Sequence, residues 1–587
     1  MRYSLVADAY ERIEATTKRL EMTDYLVELL RNTPKSVIDK AVYLTQGKLY
    51  PDFVGIEIGI AEKLAARAVA KATGRSEDKV EADLKNTGDL GETTQKFLEG
   101  KQKQVTFFPQ PLTVERVYEL LDKIAKSAGS GSVDQKLNIL AGLLADASPK
   151  EAKYIIRTVT GKLRVGIADM TVLDALAIAY GGDKELRPLF ERAYSVSSDL
   201  GRVARTVTES GVEGLKGFSV SIGEPIRPML AERLSSPKEI LEKLGGRCIA
   251  EYKYDGERIQ AHKDGGEVTL FSRRLENITN QYPDIARIVK ESVIPDKAIF
   301  EAECVAVDTE SGEMKPFQEL MRRRRKHGIE EAAEENPVSL FAFDVLYIDG
   351  KDYTQETYPV RHEALLKLVK GHARARTARF IITEDADELE RFFEEAIGDG
   401  CEGLICKSVS DDSVYQAGAR GWLWIKYKRE YKSEMRDTVD LVAVGAFHGR
   451  GKRAGTYGAL LLAAYNKQRD AFETVCKCGS GFTDEDLEKI PKMLEAHRIP
   501  HRHPRVESKL EADVWFEPKV VLEIIGAEIT LSPIHTCATN AIRKDSGLAI
   551  RFPRFTGNYR IDKSAEDATA TDEVTEMYRN QLKTIEA

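Results

Sequence analysis

Cys248-Ile249-Ala250-Glu251-Tyr252-Lys253-Tyr254-Asp255-Gly256-Glu257-Arg258 places a lysine at the end of a short β-type run and follows it with an acid, a glycine and an arginine. The run reads as a strand, Asp255-Gly256 as a hairpin turn, and Arg258 to His262 as a second strand beside the first. A strand would hold Lys253 rigidly and aim its amine above a sheet. Lysine attack on a nucleotide is the chemistry this combination suggests, with Arg258 available to pair a phosphate. An ordinary surface hairpin has the same local pattern, so the rest of the chain has to supply matching parts.

Those parts follow in order. A free lysine titrates at about 10.4, so a neutral amine near pH 7 costs about 5 kcal/mol unless positive neighbours or burial lower that value. Arg258 and Arg273, the latter in Ser272-Arg273-Arg274-Leu275-Glu276-Asn277, lie on adjacent predicted strands, and Lys426 and Lys428 alternate onto one face of a later strand. Nucleotidyl transfer also calls for a hard divalent cation with oxygen ligands. Glu303 stands in the largely apolar strand from Ala298 to Asp308, and Glu402 precedes Gly403-Leu404-Ile405-Cys406-Lys407. Either acid, taken alone, reads equally well as a strand-end residue facing solvent. Phe343, on a strand with aromatics at alternating positions, is the candidate for stacking on a flat base, although core packing is the commoner use of such a residue.

With 587 residues the chain is long enough for about three domains. Up to about Gly217 the apolar residues recur at helical spacing, as in Val117, Tyr118, Leu120, Leu121 and Ile124. Two capping boxes are expected, Ser132 with Gln135 and Ser148 with Glu151 behind Pro149. Residues 1–218 therefore form an all-α domain, and Ser219 to Pro228, with its two prolines and a glycine, is a linker. Residues 219–430 read as an α+β domain, with strands around helices at about His362 to Val369 and Ala386 to Ile397. In 431–587 strands at Leu441 to Phe447, Ala459 to Tyr465, Asp513 to Phe516 and Val520 to Ile525 fit a small β-barrel of the oligonucleotide-binding (OB) type.

The net charge of −8 argues against nucleic acid as a whole-chain property, so local clusters such as Met321 to Lys326 and His448 to Arg453 must carry that reading. Seven cysteines, an odd number with several in apolar runs, argue against a disulfide framework, and Cys476-Lys477-Cys478 lacks a second pair to complete a zinc site. No stretch is long and apolar enough for a membrane span and the first residues lack a signal-peptide core, so a cytoplasmic protein without membrane association is expected.

Lys253-Tyr254-Asp255-Gly256, Ser272-Arg273-Arg274, Glu301-Ala302-Glu303, Phe343-Asp344, Glu402-Gly403-Leu404-Ile405-Cys406-Lys407 and Trp424-Ile425-Lys426-Tyr427-Lys428 together resemble the ordered motifs of the covalent nucleotidyltransferases: ATP-dependent DNA ligases, RNA ligases and mRNA capping enzymes. Lys162-Leu163-Arg164-Val165-Gly166-Ile167 in the helical region and Gly223 to Ala231 in the linker resemble the ATP-dependent DNA ligases of the archaeal replicative type in particular. Leu548 to Phe555 resembles their final motif, so the likeness spans nearly the whole chain. The resemblance implies that 219–430 is an adenylation domain using ATP and Mg²⁺, with Mn²⁺ as a substitute. It implies that Glu251 reads the adenine amino group, that Lys253 takes the AMP, and that Arg258, Arg273, Arg420 and Lys426 hold ribose and phosphates. Glu303 and Glu402 would hold the metal, Asp255, Lys407 and Lys428 would lie near the nucleotide, and Arg551 and Arg554 would close over pyrophosphate.

The implied partner is nicked double-stranded DNA, met by a monomer associated with the nucleoid during replication, repair and recombination. Lys162, Arg164, Arg450, Lys452 and Arg453 would contact its backbone, giving an affinity that falls steeply with salt. An RNA ligase, a capping-type enzyme and an inactive DNA-binding scaffold are the alternatives; the N-terminal domain favours the DNA ligase. The chain lacks modules like those of the NAD-dependent bacterial enzymes. Gln104-Val105-Thr106-Phe107-Phe108 resembles the sliding-clamp motif of archaeal ligases, in which Gln104, Phe107 and Phe108 fill pockets on the clamp. The double substitution Phe107→Ala and Phe108→Ala is expected to weaken clamp binding at least about tenfold in a pull-down or titration, and an unchanged affinity would reject the motif.

Overall fold

A computed structural model describes residues 1–100, 111–182, 185–307, 314, 317, 320, 323, 329–428, 435, 437–449, 455–526 and 528–586. The chain divides into two compact units, one of Met1–Glu77 with Thr94–Lys428 and one of Asp78–Thr93 with Arg429–Ala587.

The N-terminal part of the first unit is helical, and its helices bury the apolar stripe that the spacing implies. In the helix Val114–Lys126 it is Val114, Val117, Tyr118, Leu121 and Ile124 that are buried. Ser148 caps the helix Pro149–Val159 in a complete box, with Glu151 N donating to Ser148 Oγ at 3.4 Å and Ser148 N donating to Glu151 Oε2 at 2.8 Å. The box expected at Ser132 does not form. Gly131, at φ 80°, is the cap of the helix Ser132–Asp146, so Ser132 is already helical and its hydroxyl sits one position too late.

Among the described residues the strands that follow are β1 (Leu230–Arg233), β2 (Cys248–Lys253), β3 (Glu257–Asp264), β4 (Glu267–Ser272), β5 (Lys297–Ala306), β6 (Val338–Ile348), β7 (Lys351–Asp352), β8 (Ala375–Thr377), β9 (Phe380–Thr383), β10 (Gly403–Ser408) and β11 (Arg420–Lys428). They form two sheets, one in the order β1-β11-β10-β2-β9 and one in the order β4-β3-β5-β6-β7 with β8 beside β6. The expected hairpin at Asp255-Gly256 is therefore wrong: β2 and β3 belong to different sheets, and Tyr254 to Gly256 carries the chain from one to the other. Glycine is needed here for close approach, since a Cβ on Gly256 would lie 2.3 Å from the carbonyl oxygen of Cys304 on β5. Tyr254 anchors the crossing by stacking on Phe341 with ring centroids 4.0 Å apart.

The two expected helices are present as Tyr358–Leu366 and Ala386–Gly398. The helices Pro237–Lys243, Pro283–Ser292 and Ile329–Glu335 were not expected. Two of them start at a proline, which reads as a breaker in sequence but suits the first helical turn, where its missing N–H has no helical partner.

In the second unit β12 (Val439–His448), β13 (Tyr457–Asn466) and β14 (Ala471–Cys478) form a meander. Short strands including Val514–Phe516, Val521–Ile525 and Arg554–Tyr559 extend it into a curled, β-rich domain of the expected barrel kind. Its interior holds Leu441, Leu460, Leu462, Val475, Phe516 and Leu522. β14 was not expected as a strand; it carries Cys476 and Cys478, both buried and free. No helix among the described residues is long and apolar enough to cross a membrane.

The 2.3 Å approach at Gly256 is to backbone, which no rotamer change can relieve. Gly256→Ala should therefore lower the stability of the first unit by about 2 kcal/mol, read as a lower denaturant midpoint; a midpoint equal to the parent's would contradict the close-approach argument.

Candidate active site

A cavity of about 290 Å³ opens between the two sheets. β2, β10 and β11 run antiparallel in register, so that Lys253, Gly403 and Lys428 form one row and Glu251, Ile405 and Lys426 the next. Lys407 and Trp424 continue the series one step further. Because side chains alternate with a period of two, all of these face the same side, and all of them but Gly403 line the cavity. The second sheet and the loops at its rim contribute Arg258, Arg273, Glu303 and Phe343.

At one end Lys253 Nζ lies 2.5 Å from Glu402 Oε2, and Lys428 Nζ is paired with the same oxygen. Burial acts to raise the Glu402 carboxyl, but the charges of Lys253 and Lys428 outweigh it and hold the group at about 2. Glu303 behaves oppositely. Burial pushes it up to about 7 against the pull of Lys253 and Arg258, with Glu402 and Asp255 adding like charge. Asp255 is raised by burial and by Glu402, and accepts from Phe317 N at 3.2 Å. Lys426 is lowered by burial and by the neighbouring charges of Arg420, Lys428, Arg233 and Lys253.

This donor set fits a hard divalent cation, because three carboxyl groups crowd together and two of them, Glu303 and Asp255, are pushed toward protonation by burial and by their like-charged neighbours. Among the described residues no three His, Cys, Asp or Glu groups converge into a ready-made cage. A cation here would need phosphate or water oxygens besides the glutamates, as Mg²⁺ commonly does.

At the other end Glu251 and Lys407 are buried and paired, Nζ to Oε2 at 2.7 Å, with Tyr358 OH donating to Glu251 Oε1. Phe343 offers a flat surface, with Trp424 edge-on at 6.2 Å. Arg258 is fixed by Glu301 at 2.6 Å and by the Met229 carbonyl at 2.9 Å. Behind this end lies an ion pair with both side chains fully buried: Arg361 Nε donates to Asp344 Oδ1 at 2.9 Å, while its Nη1 holds the carbonyls of Glu356 and Ser413.

The structure thus gathers Glu251, Lys253, Arg258, Arg273, Glu303, Phe343, Glu402, Lys407, Arg420, Lys426 and Lys428 around one cavity, with Asp255 beside Glu402. Lys162 and Arg164 lie elsewhere in the first unit, Lys162 paired with Glu62 at 2.9 Å and Arg164 at φ 56°. Arg551 and Arg554 are on strands of the second unit, Arg551 paired with Glu528 at 2.6 Å. Gln104, Phe107, Phe108, Arg450, Lys452 and Arg453 lie outside the described residues. Sequence reasoning passed over Trp424 and Ile405 as lining residues, although both follow from the period-two rule once Lys426 and Lys407 are placed. Tyr358 and Tyr415, which support the lining from behind, carry no such signal.

Residues 228–428 match the family described as "ATP dependent DNA ligase domain", 2–177 match "DNA ligase N terminus", and 453–563 match "ATP dependent DNA ligase C terminal region". The chain is 57% identical to "DNA ligase 2" of Thermofilum pendens, over 99% of this chain and 98% of that one. It is 54% identical to "DNA ligase" of Caldivirga maquilingensis over 99% and 98% of the two chains, and 54% identical to "DNA ligase" of Sulfophobococcus zilligii over 99% and 97%. Its fold is similar to that of the solved structure "Pmar-Lig_PreS3", with a TM-score of 0.54 and 15% identity over 94% of this chain and 99% of that one.

Asp344→Asn would leave the Arg361 guanidinium buried without its counter-charge. A loss of about 3 kcal/mol in unfolding free energy is expected from denaturant titration, and a loss below about 1 kcal/mol would show that the pair does not hold this region together.

Proposed function

Because the chain belongs to the ATP-dependent DNA ligase family, we propose that this cavity is its adenylation site and that Lys253 is the residue that takes AMP from ATP. The family's reaction is the sealing of nicks in duplex DNA, and ATP is the nucleotide it uses. The observation that carries the reading is the meeting of Lys253, Lys426, Lys428, Glu303 and Glu402 in one cavity with a flat aromatic and a buried carboxylate at its far end.

In the first step the Lys253 amine attacks the α-phosphate of ATP, a P–N bond forms, the bond to the β-phosphate oxygen breaks, and pyrophosphate leaves. The AMP then passes to the 5′-phosphate of a nick, and attack by the 3′-hydroxyl seals the strand and releases AMP. Adenine stacks on Phe343 with its amino group toward Glu251, and Arg258, Arg273, Arg420 and Lys426 hold ribose and phosphates, with Asp255, Lys407 and Lys428 close by. Held by Glu303 and Glu402, Mg²⁺, or Mn²⁺ in its place, would offset the phosphate charge.

The domains are assigned as 1–218 for DNA binding, 219–430 for adenylation and 431–587 for the OB-type barrel. Arg551 and Arg554 act on pyrophosphate, and Lys162, Arg164, Arg450, Lys452 and Arg453 contact the DNA backbone. The protein works as a cytoplasmic, nucleoid-associated monomer that docks on a sliding clamp through Gln104, Phe107 and Phe108.

With ATP labelled at the α-phosphate, label is expected on the denatured chain in the presence of Mg²⁺, to be lost in Lys253→Ala and with EDTA, and to chase into a sealed product on addition of nicked DNA. Label that persists in Lys253→Ala, or that moves to RNA ends but not to DNA, would overturn the assignment.

A further inference from the structure

One buried hydroxyl behind the cavity has no part in the steps above. Tyr358 opens the helix Tyr358–Leu366, is 1% exposed, and is not itself part of the cavity lining. Its hydroxyl donates to Glu251 Oε1 and accepts from Lys407 Nζ at 3.0 Å. Lys407 Nζ also donates to the Phe343 carbonyl at 2.7 Å and pairs with Glu251 Oε2 at 2.7 Å. The three N–H bonds of Lys407 are thus all spent, and each oxygen of Glu251 already holds one donor. Tyr358 is itself held: its backbone N–H donates to Ser413 Oγ at 3.0 Å, and Arg361, one turn on, is locked to Asp344.

We propose that Tyr358 is a positioning residue for base specificity, holding Glu251 as an acceptor-only carboxylate that favours adenine over guanine. This rests on the adenylation reading of the cavity. Adenine carries an amine at the position where guanine carries a carbonyl oxygen. The ionised Glu251, with one lone pair left on each oxygen, accepts from the amine and repels the carbonyl. Lys407 has no N–H left to offer that carbonyl in compensation. A protonated Glu251 would reverse the preference by donating to it. Burial favours that protonated form and holds the carboxyl above its ordinary value, while Lys407 and Tyr358, with a donor on each oxygen, pull it back toward the ionised form. Removing the Tyr358 hydroxyl strips Oε1 of its donor, leaves Lys407 with one acceptor fewer, and frees the carboxylate to turn or take a proton. Discrimination then falls while the reacting end around Lys253 is untouched.

The test compares the full-length chain with Tyr358→Phe, measuring transfer of label to the protein from α-labelled ATP and, separately, α-labelled GTP, with Lys253→Ala alongside. In Tyr358→Phe the KM for ATP is expected to rise about tenfold with kcat within about twofold, and the ratio of kcat/KM for ATP over GTP to fall about tenfold. That ratio does not depend on the fraction of protein that is folded, so a variant that merely loses active molecules leaves it unchanged. An unchanged ratio, whether with full activity or with both nucleotides reduced in proportion, overturns the inference while the adenylation reading stands on the labelled parent. A parent that labels no better than Lys253→Ala fails the adenylation reading and the inference with it.

Discussion

Strand register across β2, β10 and β11 governs the cavity. Side chains on a strand alternate between faces, so a lysine at 253 and a glutamate at 251 can share a face, and in-register neighbours can add Ile405, Lys426 and Lys428 to the same surface. A slip of one residue in β11 would turn Lys426 and Lys428 away and bring Ile425 and Tyr427, both fully buried on the other face, into the cavity. Burial of that other face against the helix Ala386–Gly398 therefore fixes the chemistry of this one. Phe393 stacks on Tyr427 at 4.1 Å, and Tyr427 OH donates to Glu390 at 2.6 Å.

The same geometry divides the work between two carboxyl groups. Glu402 sits just before β10, where both Lys253 and Lys428 reach it, and stays ionised well below the usual range. Glu303, on β5 across the cavity, is half-buried, has no such pair among the described residues, and is pushed to about 7. One acid holds the Lys253 side chain in place through a contact of 2.5 Å. The other is poised to gain most from an incoming positive charge.

Around these groups the first unit is braced by polar contacts that reach back into the helical region. Asp169 accepts from Gln46 at 2.8 Å, from Tyr194 at 2.5 Å and from Arg227 at 3.3 Å. The Arg227 carbonyl accepts from Gly418, in the segment that also carries Tyr415. Tyr415 OH donates to Glu301 Oε2 at 2.9 Å and accepts from Met229 N, holding the carboxylate that fixes Arg258. These contacts run beside an apolar cluster in which Val196 of the helical region packs with Ile226, Met229, Ile299, Leu346, Tyr415 and Trp424, and beside the ion pair of Arg192 with Asp352 at 2.9 Å.

The linear order of residues was enough to identify the helical region, the largely apolar strands, the box at Ser148 and most of the groups now found around the cavity. Those features depend on local chemistry: apolar period, capping geometry, and the need of phosphoryl chemistry for cations and carboxylates. It was not enough for the crossing at Gly256, the helices that begin at Pro237 and Pro283, or the role of Tyr358. Asp-Gly has one spelling for a hairpin and for a close pass beside another strand, and the choice was made by the Cys304 carbonyl, far away in sequence. Tyr358 and Glu251 are likewise distant in the chain, and their pairing exists because burial leaves a carboxylate that must find donors. Residue types thus set the chemistry available to the chain, while long-range packing chose which groups meet and in which charge state.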